Sequence, residues 1–76
     1  MISQRLADLL RRELQLSDFE FRDDTKAYEV PGWDSLRYIE LLAKVEDEFK
    51  IRLRGLEVMR LRSVGELQAL IDRKLG

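Results

Sequence analysis

Residues 35–49 place Leu36, Ile39, Leu42, Val45 and Phe49 three or four positions apart. That step brings side chains to one face only in an α-helix. An apolar stripe of this kind must be buried, so a chain of 76 residues that carries one needs partner helices around it. The same step recurs at both ends. Ile2, Leu6, Leu9, Leu10 and Leu14 mark a helix over 3–14, and Val64, Leu67, Leu70, Ile71 and Leu75 mark another after position 63. Ser3, Asp34 and Ser63 stand just before the three segments, where a side-chain oxygen can accept from an unpaired N–H of the first turn. Ser63-Val64-Gly65-Glu66 fits the capping-box pattern, with Gly65 an oddity in the first turn. Arg73 and Lys74 fall in the last turn, where cations suit the helix dipole. Glu40 and Lys44 form an i,i+4 pair in the favourable order, and Leu41 widens the apolar face.

The connections are less regular. Over 15–33 no helical period persists, and the expectation is an ordered loop pinned by Leu16, Phe19, Phe21, Val30 and Trp33, with room for a short helical turn. Phe19 and Phe21 alternate with acids as in a turn or a stub of strand. Asp23-Asp24-Thr25 offers side-chain oxygens to nearby amides. Pro31 holds Val30 extended and Gly32 permits a sharp bend before Trp33. After the central helix, Ile51-Arg52-Leu53-Arg54 reads as a short extended linker, and 56–61 as one or two turns of helix. The expected fold is all-α: a single domain over 1–76, three longer helices and one short one, with a long loop between the first and second.

A chain of this size has room for one core, with a net stability of roughly 4–11 kcal/mol. It contains no Cys and no His, which removes disulfides, Cys or His metal ligands, thiol chemistry and imidazole acid–base chemistry. At 45% hydrophobic and 38% charged residues the composition is that of a globular protein. No apolar run approaches the roughly 20 residues that span a bilayer, and nothing at the start resembles a signal peptide, so a soluble cytoplasmic protein is expected. The net charge of −1 does not suit nucleic-acid binding, and the basic stretch Arg52, Arg54, Arg60 and Arg62 has no interleaved aromatics for base stacking. Five acids against two bases over 18–29, an acidic 34–48 and a basic 52–62 give an uneven surface suited to electrostatic docking, or simply solvated faces.

One hydroxyl stands out. Ser35 lies at the start of the central helix, after Asp34 and before Leu36. No Lys or His adjoins it, and a Ser with one Asp is not an activated nucleophile, so catalysis is not expected. Two readings remain: a residue that helps start the helix, or a site that another protein modifies. For the second, the positive end of the dipole and its unpaired N–H groups would stabilise an attached phosphodiester.

Gly32-Trp33-Asp34-Ser35-Leu36, followed by Ile39-Glu40-Leu41, resembles the attachment motif of acyl carrier proteins. Val45-Glu46-Asp47-Glu48-Phe49-Lys50-Ile51 is similar to the end of that family's second helix, and Ser63-Val64-Gly65-Glu66-Leu67 to the start of its last. The Val30-Pro31-Gly32-Trp33 lead-in looks like free-standing carriers of specialised bacterial pathways. The resemblance implies a right-handed four-helix bundle. It implies a 4′-phosphopantetheine arm on Ser35, delivered from coenzyme A by a phosphopantetheinyl transferase, with Asp34 and Leu36 flanking it. Acyl groups, loaded by a ligase or an acyltransferase, would ride as thioesters on the arm and pass to downstream enzymes of fatty-acid, polyketide or related biosynthesis. The protein would hold its cargo without performing chemistry, as a monomer and without a metal. An aminoacyl or peptidyl carrier, or an unmodified helical interaction module, are the alternatives.

The resemblance further implies docking through the second helix, with Glu40, Glu46, Asp47 and Glu48 as candidate contacts. Arg37 departs from the pattern, because many family members have an acid there, and Arg54 and Arg60 add to the difference. Partners with a mixed or partly acidic surface are expected.

Overall fold

A computed structural model describes residues 2–76 of the chain. Four helices follow one another: α1 (Gln4–Leu14), α2 (Ser35–Phe49), α3 (Gly55–Met59) and α4 (Val64–Leu75). A single 3₁₀ turn, Ala27–Glu29, lies within the long first connection. No strand occurs among the described residues, so Phe19 and Phe21 belong to an irregular segment, their rings in tilted contact at 5.0 Å. No helix among them is long and apolar enough to cross a membrane.

Local chemistry sets the helix ends. Ser3 Oγ accepts from the Leu6 amide at 3.1 Å, and Ser63 Oγ accepts from Glu66 at 3.2 Å. The return half of the second cap differs from the capping-box pattern: Glu66 Oε1 accepts from the amide of Arg62, not of Ser63. At its C-terminus α1 stops where Gln15 turns left-handed (φ 57°), and α2 stops the same way at Lys50 (φ 56°). The amide of Leu16 then bonds back to the carbonyl of Arg11, and that of Ile51 to Glu46, satisfying carbonyls that the helix leaves unpaired.

Leu6, Leu9 and Leu10 of α1, Val45 of α2, and Val64, Leu70 and Ile71 of α4 are the most completely buried large side chains. Each contributes about 1.5–3 kcal/mol by leaving water. Phe21 and Val30 of the long loop join this core, with Phe19 and Trp33 packed on its margin. Arg5 clamps α1 to α2: its guanidinium lies 4.7 Å over the Phe49 ring while Nε donates to Glu48 Oε2 at 2.9 Å. Glu46 Oε2 accepts from the amide of Leu53 at 2.8 Å and so seats the linker against α2.

Several expectations differ from the structure. Leu36 and Ile39 are not core residues but two-thirds exposed, and Leu41, expected at the edge of the stripe, is buried with Val45 and Phe49. Leu75 is also exposed, while Gln68 of α4 is buried. Gln68 has a reason to be inside: its Oε1 accepts from the Ser3 amide at 2.8 Å and its Nε2 donates to Asp72. The ion pair of Glu40 is with Arg37 at 3.9 Å and not with Lys44. The short helix starts at Gly55, one residue before the expected segment, where Glu57 reaches back to the Arg54 amide.

α3 has few holds on the bundle. Glu57 pairs with Lys74 at 2.8 Å, and the Tyr38 hydroxyl donates to the Val58 carbonyl at 3.1 Å. The Lys74 hydrogen bond, helped by the Arg54 amide, keeps the Glu57 carboxyl below its ordinary pKa. The hydrogen bond from Arg5 does the same for Glu48. A carboxylate with a lowered folded-state pKa adds stability that is complete well above its unfolded value, about 4.3, and is lost as pH falls through the folded value. Thermal melting from pH 7 down to pH 3 should therefore show a falling Tm below about pH 5. Glu57→Gln should lower Tm at pH 7 and shallow that acid limb; an acid limb parallel to the parent's would refute the assignment.

Candidate functional site

The turn before α2 is built by sequence. Pro31 and Gly32 occupy the central positions of a turn closed by a 3.2 Å bond from the Trp33 amide to the Val30 carbonyl. The φ of Gly32 is +81°, a value that a type II turn requires at this position and that glycine adopts without strain. Trp33 is thereby laid against Tyr38, ring centroids 6.0 Å apart. Asp34, extended, then caps α2: its Oδ1 accepts from the Arg37 amide at 2.8 Å.

Ser35 is the first residue of α2 and is exposed. Among the described residues its side chain takes part in no hydrogen bond. The amides of Ser35 and Leu36, in the first turn, have no intrahelical partners, and the dipole adds positive potential there. Leu36 and Ile39 stand out into solvent on the same helix, and Tyr28, Leu56 and Met59 are further exposed large apolar side chains. A cleft of about 490 Å³ opens next to Ser35, walled by Trp33, Tyr38, Val58, Met59, Leu61 and Leu67 among others. Burial raises the pKa of the Tyr38 phenol, so it stays a neutral donor toward Val58.

The structure divides the charged candidates. Arg37 and Glu40 lie one turn into α2 and pair with each other, and Arg37 also reaches the Glu13 carbonyl at 3.5 Å. Glu46 and Glu48 are partly buried and engaged with the Leu53 amide and with Arg5. Asp47 is exposed. Arg54 and Arg60 bracket α3 as its N-cap and C-cap residues, both exposed. No group of His, Cys, Asp and Glu side chains among the described residues gathers as a metal site.

Tyr38 was not singled out from sequence, and Gly65 only as an oddity in the first turn of its helix. Tyr38 shares a helical face with Ser35 at i,i+3, a signal that its aromatic character could have raised. Gly65 lies on α4 against the long loop: a Cβ there would come within 2.8 Å of Asp23 Cα and nearer still to the Asp23 carbonyl oxygen. This apposition lets the Gly65 amide donate to Asp23 O at 2.9 Å and the Val64 amide to Thr25 O at 2.8 Å. Those bonds hold the loop that leads to the site.

The start of α2 thus presents an unengaged hydroxyl beside an open, largely apolar cleft. The phosphopantetheine attachment site family model matches residues 4–71. The acyl carrier protein of Thermotoga maritima is 23% identical over 75 residues, covering 99% of this chain and 93% of that protein. The mitochondrial acyl carrier protein of Saccharomyces cerevisiae is 33% identical over 69 residues, covering 86% of this chain and 55% of that protein. The solution structure of holo acyl carrier protein from Geobacter metallireducens superposes with a TM-score of 0.87 at 30% identity, covering 92% of this chain and 80% of that one. The chain belongs to the acyl carrier protein family: it is a carrier and not a catalyst, and its prosthetic group is a covalently attached 4′-phosphopantetheine. The residues present fit that group, because a phosphodiester on an exposed hydroxyl at a helix N-terminus meets unpaired amides.

Proposed function

We propose that Ser35 is the attachment residue and that the chain works as a single acyl carrier domain across residues 1–76. The observation that carries this reading is the exposed, unengaged Ser35 hydroxyl at the start of α2, inside the matched stretch. Asp34 fixes the helix start that presents the hydroxyl. Leu36 supplies an apolar contact beside it for the phosphopantetheinyl transferase and for later partners. The arm, when bound, supplies a thiol on which an acyl group is held as a thioester. Tethering raises the effective concentration of that group at each enzyme visited. Cargo is loaded by an acyl ligase or an acyltransferase and handed to enzymes of fatty-acid, polyketide or related biosynthesis. A cytoplasmic monomer suits this work, since one free arm serves several enzymes in turn.

Intact-mass measurement after incubation with coenzyme A and a broad-specificity transferase tests the assignment. The chain should gain one phosphopantetheine and Ser35→Ala none; a gain that survives Ser35→Ala, or no gain with several transferases, overturns it.

For docking, we place Arg37, Glu40, Asp47, Arg54 and Arg60 on the contact surface, with Glu46 and Glu48 contributing less because their carboxylates already serve the fold. The mixture of signs fits partners that offer acids to Arg37, Arg54 and Arg60 around a recess for Leu36 and Ile39. Reversing the three arginines to Glu should weaken such partners, and unchanged affinity for every partner would exclude this surface.

A further inference from the structure

A second groove, of about 600 Å³, runs between α3 and α4. It shares only Leu61 with the cleft beside Ser35. Its apolar part is Leu56, Leu61 and Ala69, and Leu56 is 74% exposed. Arg60 from the end of α3 and Arg73 from α4 line the same groove, both exposed. Neither guanidinium takes part in an ion pair or a hydrogen bond among the described residues. The two acids of the groove are already committed. Glu57 holds Lys74 at 2.8 Å and the Arg54 amide at 3.0 Å, and Glu66 accepts from the Arg62 amide at 2.8 Å. With Lys74, three cations stand against two acids, and the two cations that lack a partner are both arginines.

We infer that this groove docks an acidic amphipathic segment of a partner protein: an apolar side chain rests on Leu56, Leu61 and Ala69, and its flanking carboxylates pair with Arg60 and Arg73. An arginine fork meets a carboxylate through two parallel hydrogen bonds. Unlike charges around an apolar centre then set which segment fits. A peptide can turn its carboxylates away from Glu57 and Glu66, which a uniformly anionic membrane surface cannot. Arg60 also belongs to the contact surface proposed above, but Ala69 and Arg73 lie on α4 and do not. Ser35 is outside the groove, so a partner seated here leaves the hydroxyl to another. Every group involved belongs to the unmodified chain, so this docking does not depend on the carrier reading.

The probe is a synthetic peptide with leucines at helical spacing between glutamates, titrated into the full unmodified chain and followed by amide NMR. The amides of Glu57, Leu61, Ala69 and Arg73 should shift and saturate below about 1 mM peptide, with those of Ser35 and Leu36 unmoved. Arg73→Glu should weaken binding about tenfold, and Leu56→Ser should weaken it as well. Arg52→Glu, exposed and outside the groove, should leave it unchanged. If Arg73→Glu does not fold, Arg73→Gln removes the charge more gently. A loss in Arg52→Glu equal to that in Arg73→Glu means a general attraction of charge and overturns the inference. Shifts centred on Ser35 and Leu36, unchanged affinity in Leu56→Ser, or no shift at all overturn it too. Vesicles of anionic phosphatidylglycerol should leave the groove amides in place; the same shifts with vesicles make the groove a lipid site and exclude the peptide. Mass gain at Ser35 bears on the carrier reading alone, so the two can fail separately.

Discussion

Gly65→Ala is expected to destabilise the protein by about 2–4 kcal/mol, combining overpacking with the loss of two backbone hydrogen bonds. Against a total of roughly 4–11 kcal/mol, that is enough to leave the variant marginal at physiological temperature. The added methyl would sit on the backbone of Asp23, which cannot swing away as a flexible side chain could. To make room, α4 and the loop must part, and the amides of Val64 and Gly65 lose Thr25 O and Asp23 O. Gly55→Ala is the matched control. Nothing lies within 4 Å of a Cβ at Gly55, so the same change there should be neutral or mildly stabilising. Denaturant midpoints report the energies, and amide exchange at Val64 reports the detachment. Equal effects at the two glycines would rule out the close approach as the cause.

Leu10→Ala and Leu36→Ala should differ in kind. Leu10 is fully buried in the core, so truncation should cost about 2–5 kcal/mol and unfold a large fraction of the protein. Leu36 is 68% exposed, so truncation should change stability by no more than about 0.5 kcal/mol. Its effect should appear in function: loss of an apolar anchor worth ~1.4 kcal/mol lowers kcat/KM for transfer of the arm about tenfold. Melting curves and transferase kinetics on both variants separate the roles. A Leu36→Ala variant that is destabilised as much as Leu10→Ala would return Leu36 to the core.

Leu36 also marks where sequence stops being informative. Its spacing with Ile39, Leu42, Val45 and Phe49 identifies a helix, because periodicity depends on the backbone alone. It does not say which part of the stripe meets the core and which part awaits a partner, since both demand apolar residues at the same step. α1 was more legible because its leucines meet nothing but core, and its cap at Ser3 is local. Gly65 and Gln68 were not legible for the opposite reason. Each answers to a backbone far away in the chain, Asp23 in one case and Ser3 in the other. The motif around Ser35 was readable because the Pro31-Gly32 turn, the Asp34 cap and the exposed hydroxyl are all set by adjacent residues.

The bonds from Val64 to Thr25 and from Gly65 to Asp23 close a ring that runs through the site, α2 and α3 before returning to α4. In many small proteins a disulfide closes such a ring. Here the closure is made of peptide groups in a chain with no cysteine. Its strength is therefore indifferent to reductants and oxidants. The polypeptide has no thiolate that could attack a thioester, so the ring is held shut by a device that cannot divert thioester-bound cargo.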